Sequence, residues 1–437
     1  MSLLSLNDDV LAAIILFMPP SEVLPFSRTC RYAYSAAIPQ YLSEVTIKST
    51  LQLAGFCAFV LAEPFHRPIC IHGLDLALQI FHEQDICASV CALTDILRRA
   101  ICLDSLSVRN LENLLLFGPS LRNVLAALPA LRQISFRGIG EISLAVLSQM
   151  ASRPRHVILD TFWNEAGYTC EGALDKFAQC LETLEIRRAS GFVKLNAEVV
   201  WPHVRTLHVA YIDHSTSLSR LAYAFPNVRH FKSMASRPFL PDHGPHWAFL
   251  DYVEADIPVE LFSSIRRLVL RCPYSRESSE INRLTLDMLR RASPVVLACQ
   301  VHRDIVPHIA DVLPALKYLK ILVREDLAKS SIESRSLSIA HAVQKLPLVA
   351  LSLCHGDRWP TALHCDISRL QCIAREVAAV LPTLKDVGFD GPLLLPRHDV
   401  CRWFRVTDRN GDTPQLRLLS RQEGDGLEAQ LATMGPA

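Results

Sequence analysis

One phrase recurs ten times along the chain, and it restricts the possible folds more than any other feature of the sequence. In its full form an apolar residue and a proline precede three apolar positions, as in Leu313-Pro314 followed by Leu316, Leu319 and Ile321. Copies with the proline begin at Leu128, Trp201, Phe225, Leu313 and Leu381, and copies without it begin at Leu103, Leu181, Leu250, Ile265 and Leu348. Because proline cannot continue a helix and favours an extended residue before it, each copy predicts a helix end and the start of a short strand.

The copies follow one another at nearly regular intervals. Leu131 follows Leu103 by 28 residues, and Val228 follows Val204 by 24 residues. Repeats of about 20 to 29 residues, each with one strand and one helix, are typical of leucine-rich repeats. Residues 45–400 therefore resemble an irregular leucine-rich-repeat solenoid, an α/β fold with a parallel sheet along one side. A non-repetitive α/β enzyme has the same alternation of helices and strands and is the alternative fold.

The first 44 residues have a different pattern and form a predicted helical domain. Their apolar residues follow a single helical stripe at Val10, Leu11, Ile14, Ile15 and Met18. Pro19-Pro20 ends this first helix, and two more short helices are predicted before residue 45. Three helices of this size cannot bury a self-sufficient core, so they must pack against the rest of the chain or against a partner.

The same helical domain carries a recognisable motif. An acidic pair precedes the first helix within Leu6–Leu11, Pro19-Pro20 forms a turn, and Cys30-Arg31 closes the unit. In order and spacing these segments resemble an F-box, with Asn7 where that family usually has proline. The resemblance implies docking on the Skp-type adaptor of a cullin-RING ubiquitin ligase. The matching apolar positions, which we expect to be exposed, are Leu6, Val10, Leu11, Ile14 and Leu24.

An F-box-like domain followed by irregular leucine-rich repeats resembles the large F-box families of fungi. The resemblance implies a non-catalytic adaptor whose repeats hold a target protein, while the Skp-type adaptor links it to a cullin. The alternative function is a leucine-rich-repeat scaffold or inhibitor with no ligase link, in which the first helices only cap the array. A hydrolase with an unrecognised site is a third hypothesis.

Candidate target-binding residues are found between and just after the apolar positions of the strands. Such residues point away from the core, toward the face on which solenoids usually bind partners. The candidates are Arg137, Arg187, His208, Lys232, Arg267, Arg271, Tyr318 and Lys320. Most are basic, which favours an acidic or phosphorylated target segment. The alternative is an ordinary solvated strand face, because exposed arginine and lysine are common.

Past residue 400 the repeat pattern changes. Two apolar runs flank Asn410-Gly411, and this dipeptide between such runs predicts a β-hairpin over residues 401–420. The hairpin would close the end of the sheet, whose last strand would otherwise have an unpaired edge. Residues 421–437 contain three glycines, Gly424, Gly426 and Gly435, and are expected to form a mobile tail.

The composition and the motif search point away from several other functions. With 45 Lys and Arg against 44 Asp and Glu, the net charge of +1 lacks the basic excess expected of a nucleic-acid or anionic-membrane binder. No apolar run reaches the ~20 residues of a membrane span. The sequence has no phosphate-binding loop, nucleophile elbow or His-Glu-x-x-His helix. Cys354-His355 and His364-Cys365 fit no zinc spacing, so we expect no metal, no cofactor and no catalytic site.

The cysteines bear on the cellular compartment. The chain has 14 cysteines at scattered spacings, and its first residues do not resemble a secretory signal. This combination indicates reduced thiols and predicts a cytoplasmic or nuclear protein.

Overall fold

A computed structural model gives the arrangement of most of the chain. It describes residues 7–18, 20–78, 83–161, 172–187, 198–210, 217–234, 244–259, 261, 263–271, 279–302, 305–324, 331–354, 367–390, 401–409 and 413–435. The chain divides into two compact units, Met1–His208 and Val209–Ala437. The predicted boundary at residue 44 is not a boundary between compact units, because the third helix ends at Ser43 and the first strand begins at Glu44 without a linker.

The first unit begins with three helices. They are α1 (Asp8–Phe17), α2 (Pro20–Ser27) and α3 (Arg31–Ser43). The side chain of Asn7 accepts a hydrogen bond from the Asp9 amide, so this residue caps α1 in the position where the F-box family usually has proline. The core that these helices share consists of Leu11, Ile15, Val23 and Ala37.

Strands and helices then alternate through the rest of the first unit. In chain order they are β1 (Glu44–Ile47), α4 (Thr50–Leu61), β2 (Gly73–Leu76), α5 (Glu83–Arg99), β3 (Ser105–Val108), α6 (Leu111–Phe117), α7 (Pro119–Ala127), β4 (Gln133–Ile139), α8 (Glu141–Gln149), β5 (His156–Thr161), β6 (Thr183–Arg187) and β7 (Thr206–Ala210). Strands β1 to β6 are parallel, and each pairs with the next in chain order. Short 3-10 helices at Pro68–Cys70 and Asp175–Phe177 precede β2 and β6.

The second unit continues the alternation and adds antiparallel strands. Its elements are α9 (Leu218–Ala224), β8 (His230–Met234), β9 (Phe249–Ala255), β10 (Ser264–Leu270), α10 (Ser279–Ala292), β11 (Val296–His302), α11 (Val306–Val312), β12 (Tyr318–Arg324), α12 (Ile332–Ala342), β13 (Ala350–Cys354), α13 (Ile367–Val380), β14 (Asp386–Asp390), β15 (Arg402–Asp408), β16 (Gln415–Leu418) and α14 (Arg421–Ala432). Strands β8 to β14 are parallel in chain order. Strands β15 and β16 pair antiparallel, and Asn410-Gly411 of the expected turn lies outside the described residues.

All ten copies of the sequence phrase fall on strands, and their apolar positions are at most 4% exposed. A helical N-terminal segment followed by parallel strands that pair in chain order confirms the predicted fold class. Strands β5 and β11 do not fit the phrase because Pro154 and Pro294 stand three residues before their first core positions, Val157 and Leu297, where every copy has leucine, isoleucine or valine.

The expected mobile tail is wrong for residues 421–432, which form α14. The Ser420 side chain accepts a hydrogen bond from the Glu423 amide, and the Glu423 carboxylate accepts one from the Ser420 amide, so a capping box starts the helix. Gly424 lets this helix pack closely, because a Cβ there would lie 3.0 Å from Cδ1 of Trp403. The glycines of this segment led to the prediction of a flexible tail. In the structure, Gly424 instead permits close packing of the helix against Trp403.

Candidate protein-binding surfaces

Helix α1 is apolar on two sides. Leu11 and Ile15 point into the core of the three-helix segment, and each is 1% exposed. On other sides of the helix Val10 is 47%, Leu16 65% and Phe17 88% exposed. Because a helix that packs along one side of a protein normally has a polar outer face, this second apolar surface marks an interaction site.

The structure changes the set of predicted adaptor contacts. Val10 is exposed, Ile14 and Leu24 are half-buried, and Leu6 lies outside the described residues. The prediction that Leu11 is exposed is wrong, because this residue lies one helical turn before Ile15 and packs with it in the core. Motif matching missed Leu16 and Phe17, although a two-sided apolar pattern in α1 was visible in the sequence.

An apolar cleft of about 510 Å³ lies beside α2, among α3, β1 and α4. Its lining residues include Leu24, Ile38, Tyr41, Phe56 and Phe59. At Tyr34, which also lines the cleft, the hydroxyl accepts a hydrogen bond from the Arg67 guanidinium at 3.1 Å. The cleft therefore places Leu24 at an apolar concavity of the first unit.

The candidate target-binding residues belong to what we call the outward face, formed in each unit by the strand residues that alternate with the core positions. On this face the structure brings most of the candidates into three groups. Each group contains a carboxylate that neutralises part of its positive charge, namely Glu185, Glu254 and the pair Asp390 and Glu428.

The first group surrounds Glu185 on β6. Arg187 forms an ion pair with its carboxylate, and Nδ1 of His208 lies 2.8 Å from Oε1. Burial raises the pKa of Glu185, but the hydrogen bonds from His208 and Arg187 outweigh it and lower the pKa to about 2. Asp160 on β5 lies between Arg137 on β4 and Arg187 on β6, because it is the register partner of both residues. Opposite charges therefore alternate here, without a cationic surplus.

The second group surrounds Glu254 on β9. Its carboxylate lies 3.2 Å from Nζ of Lys232 and 2.5 Å from the Arg271 guanidinium, and it accepts a hydrogen bond from the Tyr252 hydroxyl at 2.8 Å. Burial raises the pKa of Glu254, but these partners outweigh it and hold the pKa below its usual value. Arg267 lies over the Tyr252 ring at 5.3 Å. Among the described residues, three cations thus accompany one carboxylate, which leaves this group positive.

The third group surrounds Lys320 on β12. Its ammonium pairs with Asp390 and, at 2.9 Å, with Glu428 of α14. Burial lowers the pKa of Lys320, but the surrounding groups, Asp390 and Glu428 among them, outweigh it and raise the pKa above its usual value. Tyr318 is 4% exposed beneath the same helix, with its ring centroid 6.3 Å from that of Trp403. The expectation that Tyr318 and Lys320 form an open target site is therefore wrong for this structure, because α14 covers both.

The parts of the chain that the structure describes show neither a metal site nor a membrane-spanning helix. These parts contain no group of three or more His, Cys, Asp or Glu residues placed to hold a metal ion. The sequence pair His364-Cys365 lies outside them. None of the described helices combines the length and the apolar character needed to cross a membrane.

Comparison with known proteins identifies the N-terminal segment. Residues 3–39 match the F-box domain family model, and this match covers α1, α2 and most of α3. No curated protein matches the chain at a significant level. The match falls on the helices that carry the exposed apolar residues Val10, Leu16 and Phe17. This chain therefore carries an F-box domain at residues 3–39.

Proposed function

We propose that this protein is the substrate-recognition subunit of a Skp-cullin-F-box ubiquitin ligase. The observation that carries the proposal is the exposed apolar surface of α1, which lies inside the segment matched by the F-box model. F-box domains bind Skp-type adaptors, and the adaptor would link this chain to a cullin. We place the protein in the cytoplasm or nucleus, where such ligases act.

The docking step follows from the chemistry of α1. Val10, Ile14 and Phe17 follow the helical spacing i, i+4 and i+7, so they lie along one stripe that an apolar groove of the adaptor would cover. Leu24 of α2 would extend this contact. Burying the stripe removes apolar surface from water, which is the main driving force of association. The chain itself would be non-catalytic, and ubiquitin transfer would belong to the assembled ligase.

For target binding, the group around Glu254 is the strongest part of the outward face. It has three cations and one carboxylate, whereas the other two groups are neutralised by their own acidic residues. Lys232, Arg267 and Arg271 would hold an acidic or phosphorylated segment of a target protein through charge-assisted hydrogen bonds. Arg137, Arg187 and His208, in the first unit, would contribute less to binding such a segment, because Glu185 and Asp160 offset their charge.

We also infer that the α/β region is an irregular leucine-rich-repeat array. The support is the phrase itself, since its apolar residues are buried in every copy and its strands pair in parallel, as β3 does with β4 and β12 with β11. In such an array each repeat packs on the next, so the core positions form a continuous stack.

Adaptor capture tests the ligase link. Purified Skp-type adaptor should bind the wild-type chain and lose binding to Ile14→Asp and Phe17→Asp, because a charge in an apolar interface is desolvated without a partner. Leu51→Asp is the matched control, since Leu51 on α4 is 82% exposed and lies outside the F-box domain. Capture that survives both α1 variants would favour the scaffold or inhibitor with no ligase link.

A further inference from the structure

We propose that the outward face beneath α14 is a docking surface for a helical segment of a partner protein, and that α14 occupies it as an intramolecular competitor. The inference rests on the proposed target-binding function and extends it to a second part of the outward face. It concerns the second compact unit only.

The surface beneath α14 consists of an apolar cluster with one charged residue, Lys320, beside it. Strands β11, β12, β13 and β15 contribute Val296, Tyr318, Ala350 and Trp403, which form one buried cluster with Leu427 and Leu431 of the helix. Without α14, four apolar side chains from β11, β12, β13 and β15 would face solvent together. A contiguous apolar patch of this kind marks a protein interaction site.

The fit of α14 on this surface is incomplete. The Tyr318 hydroxyl and Nε1 of Trp403 are buried, and neither has a hydrogen-bond partner among the described residues. Leaving a buried donor unpaired costs free energy, whereas an occupant with an oxygen acceptor at these points would satisfy both groups. A segment that pairs with both groups and keeps the apolar contacts would bind this surface better than α14 does.

Helix α14 is also weak as an isolated element. It has 12 residues, a length at which helices in water are marginal without tertiary contacts. Two of those residues are Gly424 and Gly426, which lower helix propensity further. Once α14 leaves the strands it should unfold. The conformational entropy that its chain then gains offsets part of the free energy lost with the contacts.

The contacts of α14 define the partner. Leu427 and Leu431 supply apolar side chains at i and i+4, and Glu428 supplies the carboxylate that pairs with Lys320. A competing segment would be an amphipathic helix with two large apolar residues four positions apart and an acidic residue beside the first. Amide or carboxylate oxygens at the edge of its apolar stripe would reach Tyr318 and Trp403.

Hydrogen exchange of the wild-type chain tests whether α14 opens on its own. The α14 amides should exchange at least 100-fold faster than the amides of β12 and β13, because local release would not require the unit to unfold. Equal exchange rates in α14 and β12 would overturn the inference, since the helix would then open only with the whole unit.

A peptide binding experiment tests the surface itself. The probe is a synthetic peptide of residues 419–434, and the same peptide with Leu427→Asp is its control. Gly424→Val should push α14 away from Trp403, because its Cβ would lie 3.0 Å from the indole, whereas a Cβ at Gly426 meets open space. We expect the peptide to bind the Gly424→Val chain at least tenfold tighter than wild type, and Gly426→Val to behave as wild type.

A chain ending at Leu418 provides a second route to the uncovered surface. No peptide binding by either the shortened chain or Gly424→Val, with β12 amides still protected, would overturn the inference. Should both variants unfold, the exchange rates of the wild-type chain decide the question alone. The adaptor-binding experiment depends on α1 and not on α14. A failure of the ligase proposal can therefore be distinguished from a failure of the docking-surface proposal.

Discussion

Oγ of Ser143 donates a hydrogen bond to Oε2 of Glu112 at 2.5 Å, which connects α8 to α6. The same carboxylate accepts hydrogen bonds from the backbone amides of Gly140, Ile142 and Ser143, each at 2.9 Å. Glu112 thus satisfies the free N–H groups at the start of a helix that follows about thirty residues later. A Cβ at Gly140 would lie 2.7 Å from Cδ of Glu112, so glycine permits this approach.

Replacing Glu112 by alanine should lower the free energy of unfolding by about 2 kcal/mol, the upper end for loss of a helix cap. Urea denaturation measures the change. Glu141→Ala is the control, because Glu141 is exposed in the first turn of α8, and its removal should cost about 0.5 kcal/mol or less. Equal effects of the two changes would contradict the role of Glu112 as a cap for α8.

The buried leucines of the phrase should carry much of the stability of each unit. Leu207→Ala and Leu319→Ala remove fully buried side chains, so each should destabilise by ~2 to 5 kcal/mol in urea unfolding. Leu116→Ala on α6 is the control, since Leu116 is exposed and its loss creates no cavity. If Leu207 and Leu116 tolerated alanine equally, the assignment of the phrase to the core would be wrong.

The ion pairs of Glu185 should appear as a pH dependence of stability. The pKa of Glu185 is lowered to about 2 in the folded chain, so its contribution is complete above its ordinary value and is lost as the pH falls toward 2. Glu185→Gln should therefore destabilise the first unit at neutral pH by on the order of 1–3 kcal/mol and flatten the pH dependence of unfolding below about pH 4.5.

Glu182→Gln is the matched change for this pH experiment, because Glu182 forms a solvent-exposed pair with Arg155. Exposed pairs contribute little to stability. Unfolding free energies of wild type and Glu185→Gln that run parallel between pH 2 and 4.5 would show that Glu185 is not stabilised by its partners.

The cationic group around Glu254 should bind acidic peptides in a salt-dependent manner. A fluorescent peptide of about ten glutamates should bind the wild-type chain, weaken as salt rises toward ~0.5 M, and weaken further on Arg267→Glu. Arg290→Glu is the control, because Arg290 lies exposed on α10 and pairs with Asp287. If the affinity for this peptide changed neither with salt nor on charge reversal at Arg267, this group would be an ordinary solvated strand face.

The sequence predicted the parts of the fold that depend on local rules. The phrase around Leu319 predicted a strand correctly, because the alternation of buried and outward-facing side chains depends only on residues next to one another in the sequence. It could not show that Glu254 pairs with Lys232 or that Asp390 pairs with Lys320, since those contacts join different strands. Nor could it show α14 packed on Tyr318, because Gly424, which lets the helix approach Trp403, is equally typical of a flexible tail.

The two apolar sides of α1 set a condition on the abundance of this protein. A copy without its adaptor would present Leu16 and Phe17 to water, and such surfaces promote self-association and recognition by chaperones and proteases. We therefore expect the chain to accumulate only in proportion to the supply of adaptor, and overproduced chain to be insoluble or short-lived. The surface that would recruit the ligase would then also limit the number of unassembled copies in the cell.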